Sequence, residues 1–397
     1  MIVYARCSSG TTIRKAMMRE REFKQMVVDE FLAFVEDPRV ERTRKHPLET
    51  ILVISLMAVI CGADGFVGIE RFAIAKESWL AEFLDMTGGV PSHDTIGRVF
   101  AALNPKTLGE AFRRWTLSLA ASSKEKLVAI DGKTLRRSFR HAGDNAFVHM
   151  VSAWSQTNRV VLGQVKTDDK SNEITAIPAL LDLIEVKGAL VTIDAAGTQT
   201  SIAAKIVDKG GDYFLALKGN QPKLHDAVVE HFLGTDREET RVGYWETGSE
   251  KAVHGRIEYR RAWVSCDLTE IATADRWQGL KTLVRVEATR VVDGTQSIEN
   301  RFYISSRMLS ASEALEASRG HWSIENELHW VLDVAFREDD CRVRAGFAAE
   351  NLSMIRQLAL SLLKQRTEAK CGIQGRRLMA GWNEQFLLRT LGLSASV

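Results

Sequence analysis

Apolar positions in the first third of the chain recur at helical spacing. The period is clear in "FKQMVVDEFLAFVEDP", "PLETILVISLMAVICGA", "GIERFAIAKESWLAEFLDM" and "TLGEAFRRWTLSLAAS". "PSHDTIGRVFAALNP" offers Ser92 or Asp94 as an N-cap before a short helix. It reads either as a capped helix in a bundle or as part of a small helix-turn-helix element. At Lys126 the pattern changes. "KLVAIDGKTL" predicts a strand, and "AFVHMVSAWSQTNRVVLGQVKT" predicts two strands around a turn at Thr157-Asn158. "ITAIPALLDLIEVKG" predicts a helix ended by Gly188. "ALVTIDAAGTQ" then reads as a strand, "SIAAKIVDKGG" as a helix, "DYFLALKGNQ" as a strand and "PKLHDAVVEHFLG" as a helix with Pro222 at its start.

Three adjacent strands followed by strand-helix alternation imply an α/β fold, a mixed sheet flanked by helices. From about Asp236 to Arg301 the helical period stops. "RVGYWETGSEKAVHGRIEYRRAWVSC" and "KTLVRVEATRVVDGTQSIENRFYIS" alternate like antiparallel strands, with Asp293-Gly294 as a hairpin turn. Helical pattern resumes in "ASEALEASRGHWSIENELHWVLDVAF". The expected organisation is a helical region 1–122, a mixed strand-helix block 123–235, a strand-rich insertion 236–304, and a helical closing part 305–397.

Composition changes this picture little. The chain has 397 residues, which at ~100–200 per domain suggests two or three units. With 45% hydrophobic and 26% charged residues a large core is possible. The net charge of +2 does not by itself announce a nucleic-acid partner, so local patches must carry that role. Cys7, Cys61, Cys266, Cys341 and Cys371 are far apart and form no C-x-x-C pair, which argues against a zinc site or disulfide framework and fits a reducing cytosol. The most apolar stretch, "ILVISLMAVICGA", falls short of the ~20 residues a spanning helix needs and reads as a buried helix. The basic N-terminus has too brief an apolar run for a secretory signal.

The chemistry lies at two strand ends. "LVAID" stops at Asp131-Gly132 and "LVTID" at Asp194-Ala195. A lone Asp after a strand is ordinarily a turn or helix cap. Two matched endings in one sheet instead suggest a shared site, because ligands gather at the carboxyl ends of such strands. On neighbouring strands the acids would lie roughly 5 Å apart at the backbone. Two anions that close must protonate or bind a cation, and oxygen-only ligands suit Mg²⁺ or Mn²⁺. A third acid is sought on the helix around "HWSIENELHWVLDVAF". At ~100° per residue, Ile324, Leu328, Val331, Leu332 and Ala335 form an apolar stripe. Glu325, His329 and Asp333 border it, whereas Glu327 projects elsewhere. Glu325 and Asp333 both qualify by this geometry.

"AIDGKTLRRS", "TIDAAGTQ", "ALKGNQPKL" and "RGHWSIENELHWVLDVAFREDDCRVR" resemble the DDE-type bacterial insertion-sequence transposases, most of all the branch that includes the H-repeat-associated proteins. The match covers nearly the whole chain. The resemblance implies an RNase H-like core with a β-strand insertion before the last acidic helix. It implies Asp131, Asp194 and Glu325 as catalytic and metal-binding triad, holding two Mg²⁺ (or Mn²⁺) ions. Related branches carry a Tyr-Arg-Glu-Lys signature around the Glu. This sequence departs from it, with Ser318 and His321 at the Tyr and Arg spacings and Leu332 at the Lys spacing. Arg319 and His329 are candidates to take over some of that work.

On this reading the expected activity is metal-dependent cleavage and strand transfer of DNA. One ion would activate a water or a DNA 3′-OH, and the other would stabilise the leaving oxygen. Lys133, Arg136, Arg137 and Arg140 follow the first acid, and Lys218, Asn220, Gln221 and Lys223 follow a neighbouring strand, where they could hold phosphates. "RVERTRKH" and "QGRRL" are further basic patches, and Trp322 and Trp330 flank Glu325 and could stack on an unpaired base. The implied partners are double-stranded DNA, both inverted-repeat ends and target, and a second copy in a synaptic homodimer. The implied setting is the bacterial cytoplasm, with no membrane partner. The alternatives are an RNase H-like nuclease that cuts without joining and a non-mobile DNA-binding descendant. No G-x-G-x-x-G or Walker loop supports a metabolic α/β enzyme.

Overall fold

The structure is a computed structural model that describes residues 32, 35–119, 127–136, 147–167, 173–233, 243–253, 256–292 and 295–392. Arg137, Arg140, the Asp293-Gly294 turn and most of the first expected helix lie outside these residues. The chain divides into two compact units. One comprises Met1–Ala120, Thr134–Val148 and Trp330–Val397, and the other Ala121–Lys133 and His149–His329.

The second unit is built on one mixed sheet. Its strands are β1 (Leu127–Leu135), β2 (Val148–Ser155), β3 (Val160–Lys166), β4 (Leu190–Ile193), β5 (Asp212–Leu217), β6 (Gly243–Val253), β7 (Arg256–Ser265), β8 (Thr282–Val292) and β9 (Thr295–Ser305). Their order is β3-β2-β1-β4-β5-β9-β8-β7-β6. β1, β4 and β5 run parallel, whereas β2 and β3 form an antiparallel pair. This is a mixed sheet flanked by helices, as the sequence pattern predicts. β9 pairs antiparallel with β5, and β8, β7 and β6 follow antiparallel. The strand-rich segment therefore extends the same sheet.

Two-residue alternation decides what lies on each face. Val128, Ile130, Val191, Ile193, Tyr213 and Leu215 point one way. There they pack on Glu173–Leu183, Thr200–Asp208 and Pro222–Leu233 through Ile177, Leu180, Ile202, Ile206 and Val228. Leu127, Leu190, Phe214 and Tyr303 point the other way, onto Ala314, Leu315 and Ala317 of the helix Ala311–Ser323. Parallel strands buried on both faces need such continuous apolar runs, which is why "LVAID" and "LVTID" lack clean alternation. Phe214 and Tyr303 stack with centroids 4.5 Å apart. Ser310 and Glu313 form a reciprocal cap at the start of Ala311–Ser323. Gly320 on that helix lies against Leu127 and Gln156, so close that a Cβ there would collide with both side chains.

Two boundaries differ from the sequence pattern. The helix expected to run to Gly188 stops at Leu183, because Ile184 and Val186 turn inward to fill the core. The long acidic helix is interrupted: Ala311–Ser323 passes into a π turn, Ile324–His329, before Trp330–Phe336 resumes the α form. The expected apolar stripe is nevertheless buried at Ile324, Leu328, Val331, Leu332 and Ala335.

In the first unit, helix Leu48–Ile60 is buried nearly throughout, as its sequence predicts. Ala348–Lys364 is buried along almost its whole length. Asn351 Nδ2 donates to the carbonyls of Phe100 and Leu103, tying that helix to the end of His93–Ala102. Ser92 rather than Asp94 caps His93–Ala102, accepting from the Thr95 N–H at 3.3 Å. The expected single helix from Gly68 to Met86 is divided at Lys76 into Phe66–Ala75 and Glu77–Leu80. The "QGRRL" patch is not a solvated one. Arg377 is 2% exposed and donates to the carbonyls of Val59 and Ala335, and Arg376 donates to those of Leu363 and Ala369. In "RVERTRKH", Arg39 and Arg44 are drawn to Asp37 at 2.7 and 3.4 Å. Among the described residues no helix is long and apolar enough to cross a membrane.

Candidate active site

Register sets the first two acids. Ile130 of β1 is the partner of Ile193 of β4, so Asp131 and Asp194 are the next positions on adjacent strands. β1 itself continues to Leu135, so Asp131 ends the pairing with β4 rather than the strand. Alternation turns both carboxylates toward the face covered by Ala311–Ser323. The loop after Asp194 is fixed from several sides. Asp194 Oδ1 accepts the Gly197 N–H at 3.2 Å, and Thr198 Oγ1 donates to the Ala216 carbonyl at 2.7 Å. Asn220 Nδ2 donates to the Ala195 carbonyl, and Gln221 Nε2 to that of Thr198 at 3.0 Å. The amides of "KGNQ" thus hold the loop that carries the second acid.

A third carboxylate joins them that the sequence reading does not single out. Glu173, in the first turn of Glu173–Leu183, has a ligand atom within 4.8 Å of those of Asp131 and Asp194. His149 Nε2 lies 2.9 Å from Glu173 Oε1. Gly132 makes this approach possible, since a Cβ there would strike both Glu173 and His149. The available signal was the pairing of a glycine after the first acid with an acid opening the next helix.

His321 projects from Ala311–Ser323 into the same place, its Nδ1 3.1 Å from Thr192 Oγ1. Burial pushes the imidazole below its ordinary pKa, against the pull of Asp131, Asp194 and Glu325. Burial also raises the Asp194 carboxyl, and the nearby charges of Glu173 and Asp131 add to that effect. Glu325 stands exposed at the start of the π turn, close enough for its charge to act on His321. Its rival, Asp333, belongs to the other compact unit. His329 is buried, with Nδ1 3.4 Å from Asp131 Oδ2 and Nε2 without a hydrogen-bond partner. Lys133 Nζ donates to the His329 carbonyl at 3.2 Å, which ties β1 to the π turn.

The other expected DNA contacts are dispersed. Arg136 is largely exposed and pairs with Asp339 at 3.3 Å within the first unit. Lys218 and Arg319 are exposed, and Trp322 is 39% exposed with the Arg301 guanidinium over its ring. Arg137 lies outside the described residues.

Asp131, Glu173 and Asp194 suit a hard divalent cation. All the donors are oxygen, and without a counter-charge three carboxylates this close repel one another.

The comparisons agree with this chemistry. A family model described as "Transposase DDE domain" matches residues 122–362, and one described as "DDE_Tnp_1-associated" matches residues 30–116. The "H repeat-associated putative transposase YhhI" of Escherichia coli K12 is 38% identical over 93% of this chain and 98% of its own length. The "Putative transposase YncI" of Escherichia coli O157:H7 is 40% identical over 91% of this chain and 93% of its own. Among solved structures, a piggyBac transposase synaptic complex with hairpin DNA overlaps 96% of this chain and 86% of its own at 8% identity. Its TM-score of 0.36 is too low to bear on mechanism.

Proposed function

The chain belongs to the DDE transposase family, and on that premise we propose that it cuts DNA at insertion-sequence ends and joins the freed ends to target DNA. One observation carries the reading: the Ile130–Ile193 register sets Asp131 and Asp194 side by side, with Glu173 drawn against them. Asp131 and Asp194 would hold Mg²⁺ or Mn²⁺, with Glu325 completing the triad and Glu173 offering a further oxygen. Such ions, when bound, would supply Lewis acidity for an in-line displacement at phosphorus.

The chain's own residues prepare that step. Burial disfavours the charged form of His321 beside the acids, which reduces the positive charge that would compete with a cation. Its contact with Thr192 holds the helix that leads to Glu325 against the strand that leads to Asp194. Lys133 fixes the π turn, while Lys218 and Arg136 are exposed for backbone phosphates. The working form is a homodimer bridging two inverted-repeat ends, acting on the nucleoid in a bacterial cytoplasm.

The test uses the full chain, duplexes carrying the terminal repeats of its own element, and Mn²⁺. Wild type nicks at the repeat end, and pre-cleaved ends are joined to a target plasmid. If Asp131→Asn cuts as well as wild type, the reading is wrong. Cutting without joining selects a simple nuclease, and binding without cutting selects a non-mobile descendant.

A further inference from the structure

The sheet face that carries the acids continues into the strand-rich segment, and there it turns cationic. β7 and β9 flank β8, with Ala262 opposite Val286 and Val286 opposite Arg301. Ala262 and Val286 are buried with the residues of Ala311–Ser323, so Arg301 rises on that helix's side. By the same alternation so does Arg260, whose neighbour across β8 is Ala288, with Glu299 beyond it. Only the small side chains of Val286 and Ala288 lie between the two arginines on this face. The helix Ala311–Ser323 adds Arg319 and Trp322, one turn apart. Ser318, beside Arg319, meets the Tyr303 hydroxyl at 3.0 Å, which fixes this end of the helix over β9.

The charges here are not balanced. Arg301 spends its fork on Glu299 at 2.8 and 2.9 Å while its guanidinium carbon lies 4.7 Å from the centre of the Trp322 ring. Glu258 is shared between Arg260 at 3.7 Å and Arg290 at 3.2 Å. Arg319 is exposed and makes no ion pair among the described residues. Repulsion from Arg319 and Arg301 adds to burial in pulling the Arg260 pKa down, despite Glu258. Lys218 also acts on Glu299. Five cations thus share two carboxylates. Arginine forks facing a surplus of like charge suit a phosphate. Trp322 is backed by Arg301 and remains 39% exposed, which leaves ring surface open to stack on a base. Duplex bases are already stacked, so only an unpaired base can use that ring.

Resting on the transposase reading, we propose that Arg260 and Arg319 bind a phosphate of an unpaired DNA strand beside the cut, with one of its bases stacked on Trp322. His321 follows Trp322 directly and Glu325 is three residues beyond it, so this site and the acids share one helix-and-turn segment.

The experiment measures binding by the full chain, in EDTA, of a fluorescein-labelled 20-nucleotide oligo-dT and of a mixed-sequence duplex of equal length, over a range of salt. Each contact to a single-strand phosphate contributes about 0.7 to the slope of log K against log salt. Both guanidinium groups act on one phosphate, so the Arg260→Gln, Arg319→Gln double variant lowers the oligo-dT slope by about 0.7, and neither single variant lowers it by more. Trp322→Ala weakens oligo-dT binding by roughly 5- to 150-fold with an unchanged slope. It leaves duplex binding within twofold of wild type. Trp322→Phe keeps most of the single-strand affinity, which separates stacking from a folding defect. An unchanged slope in the double arginine variant overturns the proposal, as does an equal loss of single-strand and duplex binding in Trp322→Ala. Asp131→Asn in the same assay still binds oligo-dT. If it cuts terminal-repeat duplexes like wild type in Mn²⁺, the transposase reading fails while the strand site stands. If it is cleavage-dead but the arginine and tryptophan variants bind like wild type, the strand site fails alone.

Discussion

Thr192 Oγ1 and His321 Nδ1 lie 3.1 Å apart, joining the strand that ends in Asp194 to the helix that leads into Glu325. Loss of the hydroxyl in Thr192→Val removes a partner of a desolvated imidazole, at a cost of about 1–3 kcal/mol. Chemical denaturation should show that loss. Metal-dependent cutting should fall more than stability alone explains, because the two acid-bearing elements lose a tie.

The same imidazole gives a pH dependence with a definite sign. Its folded pKa is depressed, so below the unfolded value of about 6.5 the unfolded chain binds a proton that the folded chain does not. Stability should therefore fall as pH drops below about 6.5, at up to ~1.4 kcal/mol per pH unit from this group, and level off once the folded imidazole protonates. NMR titration of metal-free protein should place the His321 midpoint below 6.5. His321→Gln should flatten this part of the stability profile.

Gly320→Ala places a methyl group against Leu127 and Gln156. Overpacking of this kind costs about 1–3 kcal/mol. The helix must move off β1, carrying His321 with it. We expect a lower urea midpoint and a loss of cleavage, with both reversed in part by Leu127→Ala. A Gly320→Ala protein as stable as wild type would contradict this packing.

Glu173→Gln keeps the shape of a side chain beside Asp131 and Asp194 but removes one charge. Mn²⁺ affinity, followed by calorimetry or electron paramagnetic resonance, should fall about 10- to 100-fold, a range typical for groups that support a metal site. His149→Gln should give a smaller effect in the same direction, since His149 acts through Glu173. Asp131→Asn and Asp194→Asn should each reduce cleavage at least ~100-fold, or ~2.7 kcal/mol in barrier.

In the first unit, Arg113 and Arg114 hold the Glu110 carboxyl down to about 2. A depressed carboxylate contributes stability above its unfolded value of about 4.5, lost as pH falls toward 2. The group is a third exposed, so screening limits its contribution to about 0.3–1 kcal/mol. The difference between wild type and Glu110→Gln in urea midpoint should be present at pH 6 and vanish near pH 2.

Much of this protein was legible in the sequence because it follows from local periodicity. The strands of the mixed sheet, the buried helix Leu48–Ile60, the apolar stripe around Leu328 and the two aspartates at β1 and β4 are all written in residues close together in the chain. Asp131 and Asp194 drew notice because each ends an apolar run, which is a local signal. What only the tertiary structure decided depends on distance across the sheet and on departures from regular form. Glu173 looks like any acid at a helix start until Gly132 and His149 bring it against Asp131. The π turn changes the phase assumed for Glu325, His329 and Asp333, because hydrogen bonds from residue i to i+5 widen the helix and ~100° per residue no longer applies. Arg377 and the "KGNQ" amides look like phosphate ligands in sequence, yet they are engaged with backbone carbonyls that the chain brings from far away. Composition and spacing determined which residues could do chemistry; packing decided which of them face one another.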